Sequence, residues 1–112
     1  MAQKPETVFR QRIRPLLAAL PNTAVFPIQQ KAIKGDPDFI LCINGLFVGL
    51  ELKSDDGETI PLQDFKLDNI AKARGIALVS DPHNWSAVYE FLKEIACSEP
   101  FLPASLEGIK FN

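Results

Sequence analysis

The chain has 112 residues, of which 46% are apolar, and a formal net charge of −2 at pH 7. This length supports one compact core and is too short for two domains of ordinary size. No apolar stretch approaches the roughly 20 residues of a membrane span, and residues 1–14 lack the apolar segment of a signal peptide. The composition therefore predicts a soluble, cytoplasmic protein that does not bind membranes.

The N-terminal segment has apolar residues at helical spacing. A helix is predicted to begin near Pro5, where proline suits the first helical position, and to end at Pro21-Asn22. Pro15 lies inside this segment, so a kink or break is expected near Arg14. The apolar residues that define the helix are Val8, Phe9, Ile13, Leu16, Leu17 and Leu20.

Three strands are predicted next. The stretch Thr23–Gln29 contains β-branched and aromatic residues, and Pro27 favours an edge strand because proline cannot donate to the ladder. Phe39–Ile43 and Leu46–Lys53 are stronger strands. Only Asn44-Gly45 separates them, which predicts a hairpin with a type I′ turn.

The second half of the chain alternates helix and strand. A helix is predicted over Pro61–Arg74 with Gly75 as its left-handed stop, followed by Ile76–Ser80, whose apolar composition favours a strand inside a sheet. Asp81-Pro82 predicts the start of a last helix, with aspartate as N-cap. Two prolines and a loss of periodicity follow residue 98.

These elements predict a single α/β domain over residues 1–98 with a C-terminal tail over 99–112. A strand–helix–strand connection is right-handed, so the strand at Ile76 is expected to run parallel to the strand that ends at Lys53. The result is a small mixed β-sheet flanked by helices on both faces.

Several residues of types that often carry chemistry are interpreted here as structural. Cys42 and Cys97 lack metal or redox spacing and are expected to be buried thiols. His83 follows Asp81-Pro82 and is expected in a capping or surface role. Asp36 lies in a Gly-Asp-Pro-Asp stretch that is typical of a turn.

The charges are distributed unevenly. Residues 1–34 contain six Lys or Arg against one acid, whereas residues 35–112 contain six against thirteen. A basic end of this kind can attract a polyanion while the remainder keeps the chain soluble. An ordinary solvated helix face explains the same pattern, and both interpretations stay open at this point.

The third strand ends in two charged residues on one face. Side chains alternate along a strand, so Glu51 and Lys53 share a face with Gly49, while Val48 and its alternate neighbours form an apolar face that must be core. A strand end that opens into a pocket has this pattern. A strand end that is simply hydrated also has it.

The hairpin brings a second carboxylate to the same place. If Asn44-Gly45 is the two-residue loop, Ile43 pairs with Leu46 and Asp38 lies opposite Glu51, with about 5 Å between the Cβ atoms. Opposed carboxylates destabilise a sheet unless a cation bridges them or one is protonated. A divalent metal with oxygen ligands is the more economical resolution.

The pattern Gly-x-Pro-Asp, hairpin, Glu-x-Lys and Thr-x-x-x-Gln resembles the VRR-NUC group of the PD-(D/E)xK nuclease superfamily. The resemblance covers residues 6–80 and implies a restriction-endonuclease-like αβββαβα core. A bare Asp…Glu-x-Lys pattern is weak, and the flanking motif, the hairpin length and the element order make the match more specific. The residues that carry it are Gly35, Pro37, Asp38, Phe47, Glu51, Lys53, Thr59 and Gln63.

The resemblance implies a role for each matching residue. Asp38 and Glu51 would hold Mg²⁺ or Mn²⁺ together with the backbone carbonyl of Leu52. Lys53 would orient or deprotonate the attacking water or offset charge on the phosphate. Gln63 would position the lysine, water or phosphate, and its alternative is a surface role on the helix.

Glu6 is the candidate for the first-helix glutamate that many superfamily members place near the metal, because it is the only acid before Asp36. The alternative is a favourable interaction with the helix dipole, worth about 0.3–1 kcal/mol.

The predicted function is a metal-dependent endonuclease that hydrolyses phosphodiester bonds of duplex or branched DNA, with a homodimer implied by the resemblance to junction resolvases. The basic residues expected to contact backbone phosphates are Arg10, Arg14, Lys31 and Lys34. A catalytically inactive nucleic-acid-binding module with the same fold is the alternative, and an α/β scaffold with a hydrated strand end is a third.

Overall fold

The described part of the chain folds into three helices and one four-stranded sheet. The computed structural model describes residues 5–28, 37–53 and 61–99, without the side chain of Glu6. The elements are α1 Pro5–Ala18, β1 Thr23–Pro27, β2 Phe39–Ile43, β3 Leu46–Leu52, α2 Pro61–Lys72, β4 Ile76–Ser80 and α3 Trp85–Ala96. No helix within the described ranges is long and apolar enough to cross a membrane.

The sheet is mixed, with the strand order β1-β2-β3-β4. The first three strands are antiparallel neighbours, and β4 runs parallel to β3 after the α2 crossover. This confirms the predicted α/β class, the small mixed sheet and the edge position of β1.

The main core lies between one face of the sheet and the helices α1 and α3. Trp85 of α3 packs edge-on against Phe9 of α1, with the ring centroids 6.1 Å apart, so these two helices share that face. Helix α2 covers the opposite face, where Ile70 lies against Gly49. The central buried apolar residues are Phe9, Ile13, Leu17, Phe39, Leu41, Ile43, Val48, Leu50, Leu52, Trp85 and Leu92.

The β2–β3 hairpin has the predicted turn and register. Asn44 and Gly45 have φ values of 52° and 88°, as a type I′ turn requires. The pairing runs from Ile43 opposite Leu46 to Phe39 opposite Leu50. This confirms the predicted hairpin register, and extending that register by one step would place residue 38 opposite residue 51.

Two asparagines attach the end of α3 to the sheet. Asn22 and Asn44 both have positive φ, which asparagine tolerates better than most residues. The amide of Asn22 donates to the carbonyl of Ala96, and that of Asn44 donates to the carbonyls of Ile95 and Ser98. These bonds supply donors to carbonyls at the end of α3 and just beyond it, where intrahelical donors run out.

Of the kink or break expected near Arg14, the break does not occur, because α1 is one helix from Pro5 to Ala18. Proline inside a helix removes one backbone donor and crowds the preceding turn. Ile13 and Leu17, on either side of Pro15, are fully buried in the core, and their burial favours a continuous helix across this position.

The last helix begins later than predicted, at Trp85. The carboxylate of Asp81 accepts the N–H groups of His83 and Asn84, so it closes a turn before the helix and is not the N-cap. His83 is exposed in this turn, as expected.

Three burial predictions were wrong. Cys42 and Cys97 are exposed: Cys42 alternates with the buried residues Leu41 and Ile43 and so points to the other face, and Cys97 follows the end of α3. Strand β4 was expected inside the sheet. It is instead the last strand in the order of the described sheet, and most of its residues are only partly buried.

Helix α2 ends in a Schellman motif whose left-handed residue is Arg74, not Gly75 as predicted. Arg74 has φ 71°, its N–H donates to the carbonyl of Ala71, and the N–H of Gly75 donates to that of Ile70. Gly75 is needed for space, because a Cβ there would lie 2.9 Å from Ile70 Cγ2 and 3.3 Å from the carbonyl oxygen of Phe47.

Replacing Arg74 by glycine is expected to stabilise the fold, because a side chain at a left-handed position costs about 1–2 kcal/mol that glycine avoids. Chemical denaturation should give Arg74→Gly a free energy of unfolding about 1 kcal/mol above that of Arg74→Ala. The alanine variant controls for the lost charge while keeping the strained conformation. Equal stabilities for the two variants would contradict this explanation.

Candidate active site

Asp38 lies where the β2–β3 ladder ends. Its backbone carbonyl accepts the N–H of Ile28, which extends the pairing with β1. Its carboxylate Oδ2 accepts the N–H of Leu52 at 2.8 Å and so replaces the backbone acceptor that β2 no longer supplies. The aspartate is only 1% exposed, and a buried carboxylate requires such donors or a nearby cation.

Arg10 provides a positive charge beside this carboxylate. Its Nη2 donates to Asp38 Oδ1 and forms an ion pair that connects α1 to the end of the sheet. The Arg10 side chain is 34% exposed, whereas that of Asp38 is fully buried. Arg10 was expected to contact nucleic acid, and in the structure it contacts the candidate metal ligand Asp38 itself.

Glu51, Gln63 and Lys53 form a second polar group. The amide nitrogen of Gln63 donates to Glu51 Oε2, and Lys53 Nζ donates to the Gln63 amide oxygen at 2.9 Å. The glutamine therefore uses both ends of its amide to connect the two charged residues. Glu51 is 1% exposed and Gln63 is buried, so the predicted cluster on one face of β3 is present and the surface alternative for Gln63 is excluded.

Gly49 allows α2 to approach the sheet at this site. A Cβ at this position would lie 2.6 Å from Ile70 Cδ1 and 3.6 Å from the ring of Pro37. Because no side chain stands there, both residues pack directly on β3. Gln63 lies on the same helix as Ile70, and the close helix lets its amide reach Glu51.

The other residues predicted for the site lie partly inside and partly outside the described ranges. Arg14 lines a cleft beside Asp38, and Leu52 ends β3 next to Glu51 and donates its N–H to Asp38. Glu6 lies in α1, but its side chain is outside the described part of the chain. The candidates and motif residues outside the described ranges are Lys31, Lys34, Gly35, Asp36 and Thr59.

The oxygen donors present suit a small divalent cation. No group of three or more His, Cys, Asp or Glu in the described ranges is arranged to hold a metal. Mg²⁺, however, is commonly bound through one or two carboxylates, with water and substrate phosphate as further ligands. The buried carboxylates Asp38 and Glu51 fit that requirement, and Mn²⁺ accepts the same oxygen donors.

Among the described side chains, the charge of the two buried carboxylates is balanced without a metal. Asp38 pairs with Arg10, and Glu51 is connected to Lys53 through Gln63. Two carboxylates and two cationic side chains give a formal charge of zero for the four ionisable groups. The fold can therefore bury both carboxylates before any cation binds.

Thr7 and Gln11 also belong to the region beside Asp38, and they were not predicted from the sequence. Both line the cleft beside Asp38 with Arg10 and Arg14. The signal was available, because positions 7, 10, 11 and 14 follow the spacing of one helix face.

Comparisons with protein-family models, with curated proteins and with solved structures found no match to this chain.

Gln63 is expected to be needed for stability as well as for the arrangement of the site. Gln63→Met keeps a similar volume but removes the donor to Glu51, so the free energy of unfolding should fall by about 1–3 kcal/mol. Asn69→Met removes an exposed amide from the same helix and should change stability by less than about 0.5 kcal/mol. Equal effects of the two substitutions in urea denaturation would show that the Gln63 bridge is not stabilising.

Proposed function

We propose that the protein is a metal-dependent nuclease that hydrolyses phosphodiester bonds of DNA, related to the VRR-NUC group and built on its restriction-endonuclease-like αβββαβα core. The observation that carries the proposal is the burial of Asp38 and Glu51 at one end of the sheet, with Gln63 connecting Glu51 to Lys53. Burial of two carboxylates is costly for stability alone, which favours a functional reason for both.

Asp38, Glu51 and the backbone carbonyl of Leu52 are the proposed metal ligands. The Leu52 N–H points toward the β2 side of the strand, where Asp38 accepts it. Within a strand, the N–H and C=O of one residue face the same neighbour, so the Leu52 carbonyl also faces Asp38. Bound Mg²⁺ or Mn²⁺ would polarise the scissile phosphate and lower the pKa of a bound water.

Lys53 is the proposed group for proton transfer or for neutralising charge on the phosphate. Its ammonium is held by the Gln63 amide at 2.9 Å, which restricts an otherwise flexible side chain. Positioning of this kind reduces the entropy lost when the reacting groups meet. Gln63 is in turn held by Glu51, so the lysine has a defined place relative to the proposed metal ligand.

The proposed substrate is duplex or branched DNA, and the proposed cut is internal. The described part of α1 carries Arg10 and Arg14 beside Asp38, which supports attraction of a polyanion to this side of the molecule. A homodimer in the cytoplasm completes the proposal, since two copies would allow two strands to be cut.

Cleavage should require Lys53. Single-stranded, duplex, flap and four-way-junction DNA would be incubated with Mg²⁺ or Mn²⁺, and the rate constant for the best substrate compared among variants. Lys53→Met is expected to lower that rate constant by about 10²–10⁴-fold, the usual contribution of a positioned proton-transfer group. Lys93→Met is the matched control, because Lys93 is exposed on α3.

Asp38→Asn and Glu51→Gln should abolish cleavage in the same assay. If DNA is cut equally by the wild type and by Lys53→Met, the activity comes from a contaminant or from another site. That result would refute the assignment.

Metal binding can be tested without activity through Arg10. Removing this cation leaves Asp38 poorly compensated, so Arg10→Gln should lose about 2–3 kcal/mol of stability in EDTA, less than the roughly 3–5 kcal/mol of a fully buried pair. Mn²⁺ should raise the melting temperature of Arg10→Gln more than that of the wild type. In this variant the ion supplies the missing positive charge, and it does not compete with the guanidinium for the Asp38 carboxylate.

Arg12→Gln is the control for this measurement, since Arg12 stacks on Phe9 away from Asp38. Equal Mn²⁺ responses of all three proteins would place any bound cation elsewhere.

A second candidate is a DNA-binding module with this fold and no turnover. The charge balance among Asp38, Arg10, Glu51 and Lys53 favours it, because such a site is stable without a metal. DNA binding without cleavage of any substrate, combined with no effect of Mn²⁺ on the melting temperature, would select this function over the nuclease.

A further inference from the structure

A cleft of about 230 Å³ lies beside Asp38 on the α1 side. One wall is a polar face of α1, and the opposite wall is formed by Pro27 and Ile28, where β1 ends. We call this feature the α1 cleft. The residues that α1 contributes to it are Thr7, Arg10, Gln11 and Arg14.

We propose that the α1 cleft binds one backbone phosphate of the nucleic-acid strand, adjacent to the phosphate at the metal ligands. The inference rests on the proposed function, because it deepens the description of that substrate. It makes Gln11 and Arg14 positioning residues that set where the strand lies relative to Asp38.

The side chains of the α1 wall suit an anion. Arg10 and Arg14 carry positive charge, and Thr7 and Gln11 add neutral hydrogen-bond donors. Guanidinium groups bind phosphate through two parallel hydrogen bonds, which gives geometric selectivity as well as affinity. Asp38 is the one carboxylate in the described lining of the cleft, and Arg10 already neutralises it.

Arg10 has a buried donor that no described residue uses. Its Nε is buried and has no hydrogen-bond partner among the described residues. A buried donor without a partner is destabilising, so an acceptor at this position would be favourable. Arg10 lines the cleft, so a phosphate oxygen bound there would become such an acceptor once the guanidinium turned toward it.

The position of the cleft favours a strand over a free anion. Asp38 lines the cleft, and its carboxylate also accepts the N–H of Leu52 at the end of β3. A phosphate in the cleft would therefore lie beside the proposed metal ligands, as the next phosphate of one strand would. Contacts of this type fix the register of the strand and carry no base specificity.

The test measures binding without cleavage. A fluorescently labelled DNA duplex is titrated with protein in EDTA over a series of salt concentrations, and the affinity is read from anisotropy. Arg14→Gln should weaken binding roughly tenfold, the loss of one charge-assisted hydrogen bond, and should make the negative slope of log affinity against log salt shallower by about 0.9. Gln11→Glu should weaken binding at least as much, because it adds a carboxylate to the cleft without changing its size.

Arg12→Gln is the matched control. It removes the same charge from the same helix, but Arg12 stacks on Phe9 on another face, so its affinity and salt slope should stay close to those of the wild type. If Arg12→Gln and Arg14→Gln weaken binding equally, DNA responds only to general charge and the cleft proposal is wrong.

Two further arms separate the remaining outcomes. If inorganic phosphate raises the melting temperature of the wild type but not of Arg14→Gln, while DNA affinity is equal for both, the cleft holds a free anion and the strand proposal is overturned. If Arg14→Gln weakens binding as expected but no substrate is cut with Mn²⁺, the cleft proposal stands and the nuclease proposal fails.

Discussion

The burial of Asp38 and Glu51 is the constraint on which the organisation of this region depends. Each residue is 1% exposed, and a buried carboxylate without donors or a cation would be strongly unfavourable. The fold supplies what each one needs from a different element: the Leu52 amide and Arg10 for Asp38, and Gln63 for Glu51. The requirement therefore ties α1, α2 and β3 to the same end of the sheet.

The relation between Asp38 and Glu51 could be predicted because it depends on local rules. Asn44-Gly45 determines the turn, the turn determines the register, and the register aligns residues 38 and 51. Alternation along the strand then places Lys53 with Glu51. Each step uses residues close in sequence, where backbone geometry leaves few alternatives.

The role of Arg10 could not be predicted in the same way. Which face of α1 meets the sheet depends on how Phe9, Ile13 and Leu17 pack against distant strands. The sequence gives the spacing of a helix face but not the residue that lies opposite it. The same limit explains the wrong prediction for the end of α2. Gly75 was expected to be left-handed, but it is needed there because its lack of a side chain leaves space beside Phe47.

The prediction that Cys42 is buried failed because the two faces of the sheet are covered unequally. The face toward α1 and α3 contains fully buried residues along β2 and β3. On the opposite face, α2 packs over Gly49, whereas Phe47 is 47% exposed and Phe26 is 54% exposed. An apolar run in the sequence indicates a strand. How much of each face of that strand is buried depends on which helices cover the sheet.

Arg10 also explains how the site can exist before any ligand binds. Its guanidinium offsets the buried charge of Asp38, so folding does not depend on a metal to neutralise that carboxylate. The same side chain lines the α1 cleft and keeps a buried donor without a partner among the described residues. On the proposed function, a cation bound at Asp38 would take over the charge that Arg10 supplies, and the guanidinium would then be available to a phosphate in the cleft. Binding of the two ligands would be coupled, because each changes the partners of one arginine and such coupling is reciprocal.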